Sequence, residues 1–110
     1  MSISCDDNNI KIWDTENWEC ILDINNIYKE GDLYSACFIK EKDNIYIATS
    51  NRNKEGDSEK IKIFNFYGQN IQELDNSNEN TLFLDSYFDK KSSKNYIISA
   101  NFGRVKSYDY

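Results

Sequence analysis

The 110 residues leave room for one modest domain, and a 39% hydrophobic share with eight Tyr and six Phe is too rich in core formers for a disordered tail. A net charge of −6, with Lys and Arg scattered singly or in pairs such as Lys90-Lys91, sets the field of the whole molecule against nucleic acid and anionic membranes. No run approaches the ~18 apolar residues of a membrane span, and the first residues lack the basic and apolar regions of a signal peptide.

Taken in chain order, the hydrophobic pattern has a period of two. Ile10-Lys11-Ile12-Trp13 alternates, as do Ile61-Lys62-Ile63-Phe64 and Arg104-Val105-Lys106-Ser107-Tyr108, so each places one set of side chains on a buried face. Segments 33–39, 44–50, 82–88 and 96–100 are apolar runs rich in β-branched and aromatic residues, which predicts deeply buried strands. Polar clusters at 6–9, 40–43, 75–80 and 89–94 read as turns, and 51–59 as a longer connection. With no Pro and four Gly, Asn and Asp supply most of the turn chemistry. No segment carries a helical stripe, and the chain is expected to be all-β with about ten short strands.

The alternating segments repeat. Ile10-Lys11-Ile12-Trp13-Asp14, Ile61-Lys62-Ile63-Phe64-Asn65 and Val105-Lys106-Ser107-Tyr108-Asp109 each end in an aromatic followed by Asp or Asn, at positions 13, 64 and 108. The segments before them match as well. Leu33-Tyr34-Ser35-Ala36-Cys37-Phe38 parallels Leu82-Phe83-Leu84-Asp85-Ser86-Tyr87, and 45–50 parallels 96–100.

On these residues the chain resembles the WD-repeat family. Ser4-Cys5-Asp6-Asp7-Asn8-Asn9-Ile10-Lys11-Ile12-Trp13-Asp14 is similar to that family's strand b, tight turn, strand c and Trp-Asp pair, with Phe64-Asn65 and Tyr108-Asp109 as weaker versions. The resemblance implies antiparallel four-stranded blades of an incomplete β-propeller, about two and a half of them. Residues 2–5, 9–13 and 19–23 would be strands b, c and d of a first blade ending near 24. Residues 33–39, 44–50, 60–65 and 70–74 would be strands a to d of a second (33–75), and 82–88, 95–100 and 104–108 strands a to c of a third (82–110). The family joins a His, a Ser, an Asp in the turn and the Trp into one network. Asp7 has the place of that Asp, but this chain contains no His, and the equivalent later positions are Ser58 and Phe102. An open stack of blades leaves edges and apolar faces bare. A truncated gene product or a fragment of a longer propeller is therefore expected, self-associating when alone.

Chemistry finds little support in the residues. Without His, imidazole-dependent triads are excluded and the commonest zinc ligand is missing. Cys5, Cys20 and Cys37 have no paired spacing, which argues against a disulfide framework and for a reducing compartment; Cys5 and Cys37 are expected to be small core residues. Asp6-Asp7 is needed for the turn itself. Asn51-x-Asn53-x-Glu55-Gly56 opens like a calcium loop, but its twelfth position is Lys62. Trp13, Phe64 and Tyr108 are expected to pack the blades, while Trp18, Tyr28 and Tyr34 are less easily placed.

The resemblance implies a non-catalytic scaffold for protein partners, with no metal, no cofactor, no nucleic acid and no membrane, in the cytoplasm or alternatively the nucleus. Partners would use loops 25–32, 51–59 and 76–81, with Tyr28 and Arg52 as contacts. A propeller enzyme or small-ligand binder, and a fragment without independent function, stay open as alternatives.

Overall fold

A computed structural model describes residues 1–29, 31–52, 60–74, 83–100 and 105–109, with Asp109 described in its backbone alone. Among the described residues the chain forms strands β1 (Ser2–Cys5), β2 (Ile10–Trp13), β3 (Cys20–Ile24), β4 (Asp32–Glu41), β5 (Asn44–Arg52), β6 (Ile61–Phe64), β7 (Asn70–Leu74), β8 (Phe83–Asp89), β9 (Lys94–Ala100) and β10 (Val105–Asp109), and no helix. No helix of the described residues is therefore long and apolar enough to cross a membrane. Every strand pairs antiparallel with its neighbour in sequence, giving three meandering sheets: β1-β2-β3, β4-β5-β6-β7 and β8-β9-β10.

The strand positions follow the alternation, with one consistent difference. β4 and β5 run longer than the apolar runs predict, because their turn needs only Lys42 and Asp43: pairing extends from Glu41↔Asn44 to Asp32↔Arg52. Lys42 takes up the turn with a positive φ of 52°.

The three sheets stack face to face, and the period-two pattern sorts their side chains. On the middle sheet Ala36, Phe38, Ile47 and Phe64 join Ile10, Ile12 and Ile24 of the first sheet in one core. Cys37, Ile39, Ala48, Ile61 and Ile63, one residue out of step, join Leu84, Ile97 and Tyr108 of the third sheet in a second core. The middle sheet is thus covered on both faces and each flanking sheet on one. Contacts between sheets run chiefly through β4 with β8, then β1 with β4 and β5 with β8. One hydrogen bond joins the first of these pairs, from Ser86 Oγ to the Phe38 carbonyl at 2.6 Å.

The register corrects one alignment in the repeat. Phe38 pairs with Ile47 and Ser86 with Ile97, so Phe38 corresponds to Ser86, not to Tyr87. The cause is a bulge in β4: Leu33 pairs with Asn51 and Ser35 with Ser50, leaving Tyr34 without a cross-strand partner position. One extra residue beyond Leu33 shifts the repeat by one, and a one-residue slip exchanges the faces.

Candidate interaction surfaces

Superposing the registers reveals a set of residues common to all three sheets. A hydroxyl residue lies directly across from a lysine in each: Ser4↔Lys11, Thr49↔Lys62 and Ser99↔Lys106. Two residues after the lysine comes the aromatic, Trp13, Phe64 or Tyr108, on the same side of its sheet. This rear face of the second sheet meets the first sheet, and that of the third meets the second. Among the described residues, no sheet lies over the rear face of the first sheet.

In the middle sheet this set grips the connection that enters from the first. The Tyr28 hydroxyl lies 2.8 Å from the Thr49 carbonyl, 3.0 Å from Thr49 Oγ1 and 3.1 Å from the Lys60 carbonyl. Thr49 Oγ1 donates to the Lys62 carbonyl at 3.1 Å. The Lys62 ammonium donates to the Ile27 carbonyl at 2.8 Å and sits 4.7 Å from the centre of the Tyr28 ring. An ammonium over an aromatic face with a carbonyl acceptor keeps its charge solvated inside the stack.

The same geometry places the aromatics unequally. Phe64 is 5% exposed because the first sheet lies over it. Trp13 is half-buried, and its indole N–H donates to Ser4 Oγ across the strand pair at 2.9 Å. Tyr108 is half-buried against the middle sheet, and its buried hydroxyl has no partner among the described residues. Asp7 is exposed and acts through its backbone, accepting the Leu33 N–H at 2.7 Å. Side-chain work in that turn falls to its neighbours. Asp6 Oδ1 accepts from the Asn9 side-chain amide at 2.9 Å. Asn8 clamps Tyr28, donating to its carbonyl and accepting its N–H at 2.7 Å. Ser58 and Phe102 lie outside the described residues.

Asp14 and Asn65, the residues after the aromatic, have a common local role. Asp14 Oδ1 accepts the Glu16 N–H at 2.9 Å, and Asn65 Oδ1 accepts the N–H of Tyr67 at 2.9 Å and of Gln69 at 3.0 Å. In both units the register slips at the aromatic, between Ile12 and Trp13 and between Ile63 and Phe64. Each is a bulge leading into a side-chain-capped turn, which is the chemistry that selects Asp or Asn there. Asp109 falls at the third such position, and only its backbone pairing with Tyr96 is described.

Two surfaces are open to a partner. At the end of the stack that carries residues 6–9 and 25–29, Arg52 holds its guanidinium 5.7 Å from the centre of the Tyr34 ring. Tyr34, pushed out by the bulge, is 45% exposed. Tyr28, expected as a contact here, is 1% exposed with its hydroxyl engaged inside, which takes its side chain out of a partner's reach. Of the expected partner loop 51–59, residues 51 and 52 belong to β5 and 53–59 lie outside the described residues, as does loop 76–81. At the opposite end the hairpin turns of the second and third sheets enclose a groove of about 710 Å³, lined by Lys40, Glu41, Lys42, Phe88, Lys94 and the buried Asn95. Charges that look scattered in sequence are gathered there by two turns almost fifty residues apart, around a Phe88 that is 49% exposed.

The thiols divide in the same way. All three cysteines are free. Cys5, expected in the core, is exposed because it ends an edge strand beyond the cover of the middle sheet. Cys37 is half-buried between the second and third sheets, where burial first and the charge of Asp85 second push its thiol up to about 12. No group of three or more His, Cys, Asp or Glu among the described residues could hold a metal ion.

No family model matches the chain, and no curated protein or solved structure matches it either.

Proposed function

We propose that the chain is a non-catalytic scaffold built on the plan of a WD-repeat β-propeller, whose blades are the three stacked sheets. The observation that carries this reading is the in-phase recurrence of a hydroxyl residue, a lysine and an aromatic on one face of each sheet, followed by Asp or Asn. Meandering sheets that stack face to face and make their main contacts through the first strands of the second and third are what radial blades require. The Trp13-to-Ser4 hydrogen bond supports it further, being part of the network by which that family ties strand c to strand b. The protein acts in the cytoplasm or nucleus, where free thiols persist.

In this reading partners are proteins, held at the ends of the blades. The lysine-lined groove around Phe88 offers an apolar anchor within a ring of donors, and the Tyr34–Arg52 pair offers a second contact of the composition favoured at interfaces. Proximity labelling in cells tests the proposal with three versions of the chain: wild type, Lys42→Glu/Lys94→Glu and Arg52→Glu/Tyr34→Ala. A reproducible set of neighbours lost with one of the two variants supports it. Identical neighbours for all three, with the variants folded, would sink it.

A further inference from the structure

We infer that the outer face of the third sheet receives the first sheet of a second copy of this chain, so that copies add head to tail. The inference rests on the observed stack and does not depend on the propeller reading.

Register assigns the face its role. In the second sheet the face turned toward the third carries Ile39, Tyr46, Ala48, Ile61 and Ile63. The corresponding positions of the third sheet, found through the pairs Tyr87↔Tyr96, Ile98↔Ser107 and Ala100↔Val105, are Tyr87, Tyr96, Ile98, Val105 and Ser107. The apolar character is kept at four of the five, yet no sheet of the described residues covers them. Tyr87 is 55% exposed, Val105 75%, and Phe83 on the same face 56%. An exposed cluster of this size and aromatic content is what an interface leaves bare in the separated partner.

What covers it follows from the two interfaces already present. In each, the outer face of one sheet meets the rear face of the next, the one bearing hydroxyl, lysine and aromatic. One uncovered rear face of that kind exists among the described residues, that of the first sheet, with Ser2, Ser4, Lys11 and the half-buried Trp13. A second copy therefore supplies the surface that the repeat calls for. Lys11 there and Asp85 on the outer face carry opposite charges, whereas two outer faces meeting back to back would bring Asp85 toward Asp85. The two meeting surfaces differ, so the contact is heterologous: copies close into a ring if the rotation permits and otherwise extend as open chains.

Light scattering during size exclusion, over a series of concentrations, tests this on the full chain and two variants. Phe83→Glu/Tyr87→Glu blocks the outer face, and Ser2→Glu/Lys11→Glu blocks the rear face. Each change lies on an uncovered surface, and circular dichroism with a cooperative melt verifies folding. Should a glutamate variant fail to fold, Phe83→Gln/Tyr87→Gln and Lys11→Gln replace it. Wild type is expected to associate, and each variant to associate at least about tenfold more weakly, as for loss of a central aromatic contact. Mixing the two variants, each retaining one good face, is expected to give a dimer and nothing larger. A wild type that stays monomeric throughout overturns the inference. So do variants that associate like wild type, which would put the contact on strand edges. A mixture that stays monomeric would mean that the two intact faces do not meet each other, and a single variant that dimerises alone would mean that like faces pair with like; either overturns the inference. Any of these failures leaves the partner-labelling test of the scaffold reading untouched.

Discussion

Phe64 and Trp13 occupy the same position of the repeat, and the sequence expects them to matter equally. The structure separates them by what lies above: the first sheet covers Phe64, while Trp13 has no sheet of the described residues above it and is half-buried, held by its bond to Ser4. Phe64→Ala is expected to cost about 3–5 kcal/mol, the range for a buried aromatic. Trp13→Ala should cost less, about 2–3 kcal/mol, because its removal opens onto solvent and leaves no enclosed cavity. Denaturant unfolding of both variants measures the difference, and equal losses would show that Trp13 is covered in solution. Cys37 provides a second residue-scale test. Its thiol is held protonated up to about 12, against an ordinary value of 9.0. The folded state thus keeps a proton that the unfolded chain releases. The stabilising contribution is intact below pH 9 and declines as pH rises from 9 toward 12. The stability of wild type should fall more steeply over that window than that of Cys37→Ala, because tyrosine ionisation is common to both. At neutral pH, Cys37 should react with a thiol reagent more slowly than the exposed Cys20.

Among the elements, the turns that follow β2 and β6 are where local chemistry is most exposed to test. Asn65 caps its turn with two hydrogen bonds and Asp14 caps the equivalent one. Asn65→Asp should be tolerated, whereas Asn65→Ala should cost about 1 kcal/mol, the usual worth of such bonds. The left-handed residue of each turn is Gly68 in one and Trp18 in the other, at φ 80° and 59°. Trp18 is 66% exposed, so its ring gives little in return for that strain. Trp18→Gly is expected to raise the melting temperature slightly, and a fall would mean that the indole has a contact of its own. These turns also mark how far the sequence could be read. Alternation and the aromatic-Asp/Asn phase placed ten strands to within a residue or two, because pleat and turn chemistry are local. The bulge at Tyr34 was hidden, since no residue there demands one, and it displaced the match of Phe38 to Tyr87 by one position. Burial of Tyr28 was hidden for a different reason. It depends on Thr49, Lys60 and Lys62, which come from beyond a long connection and meet Tyr28 only when the sheets stack. The groove around Phe88 escaped because lysines at 40, 42 and 94 become neighbours through tertiary packing alone.

At the scale of the whole molecule, stacking sets an order of stability among sheets of nearly identical build. The middle sheet is covered on both faces, and five consecutive residues of β5, 47–51, are buried. The first and third sheets are each covered on one face, and the outermost strands β3 and β7 are largely exposed. In a linear stack each unit depends on its neighbours, so opening should begin at the ends and reach the centre last. Hydrogen exchange read by mass spectrometry at low protein concentration should then find peptides covering β5 and β6 exchanging most slowly. Peptides covering β3 and β7 should exchange early, the latter although it belongs to the central sheet. Raising the concentration should slow exchange at both ends of the stack and leave the centre unchanged, since head-to-tail addition covers only the outer face of the third sheet and the rear face of the first. The net charge of −6 opposes that addition at low salt, and screening over about 8–10 Å at physiological ionic strength relieves it. Protection at the two ends should therefore grow with salt as well as with concentration. Protection growing at one end only would show that the contact joins like faces. Uniform exchange through all three sheets would show instead that the stack opens as one cooperative unit and that its central sheet has no special hold on the fold.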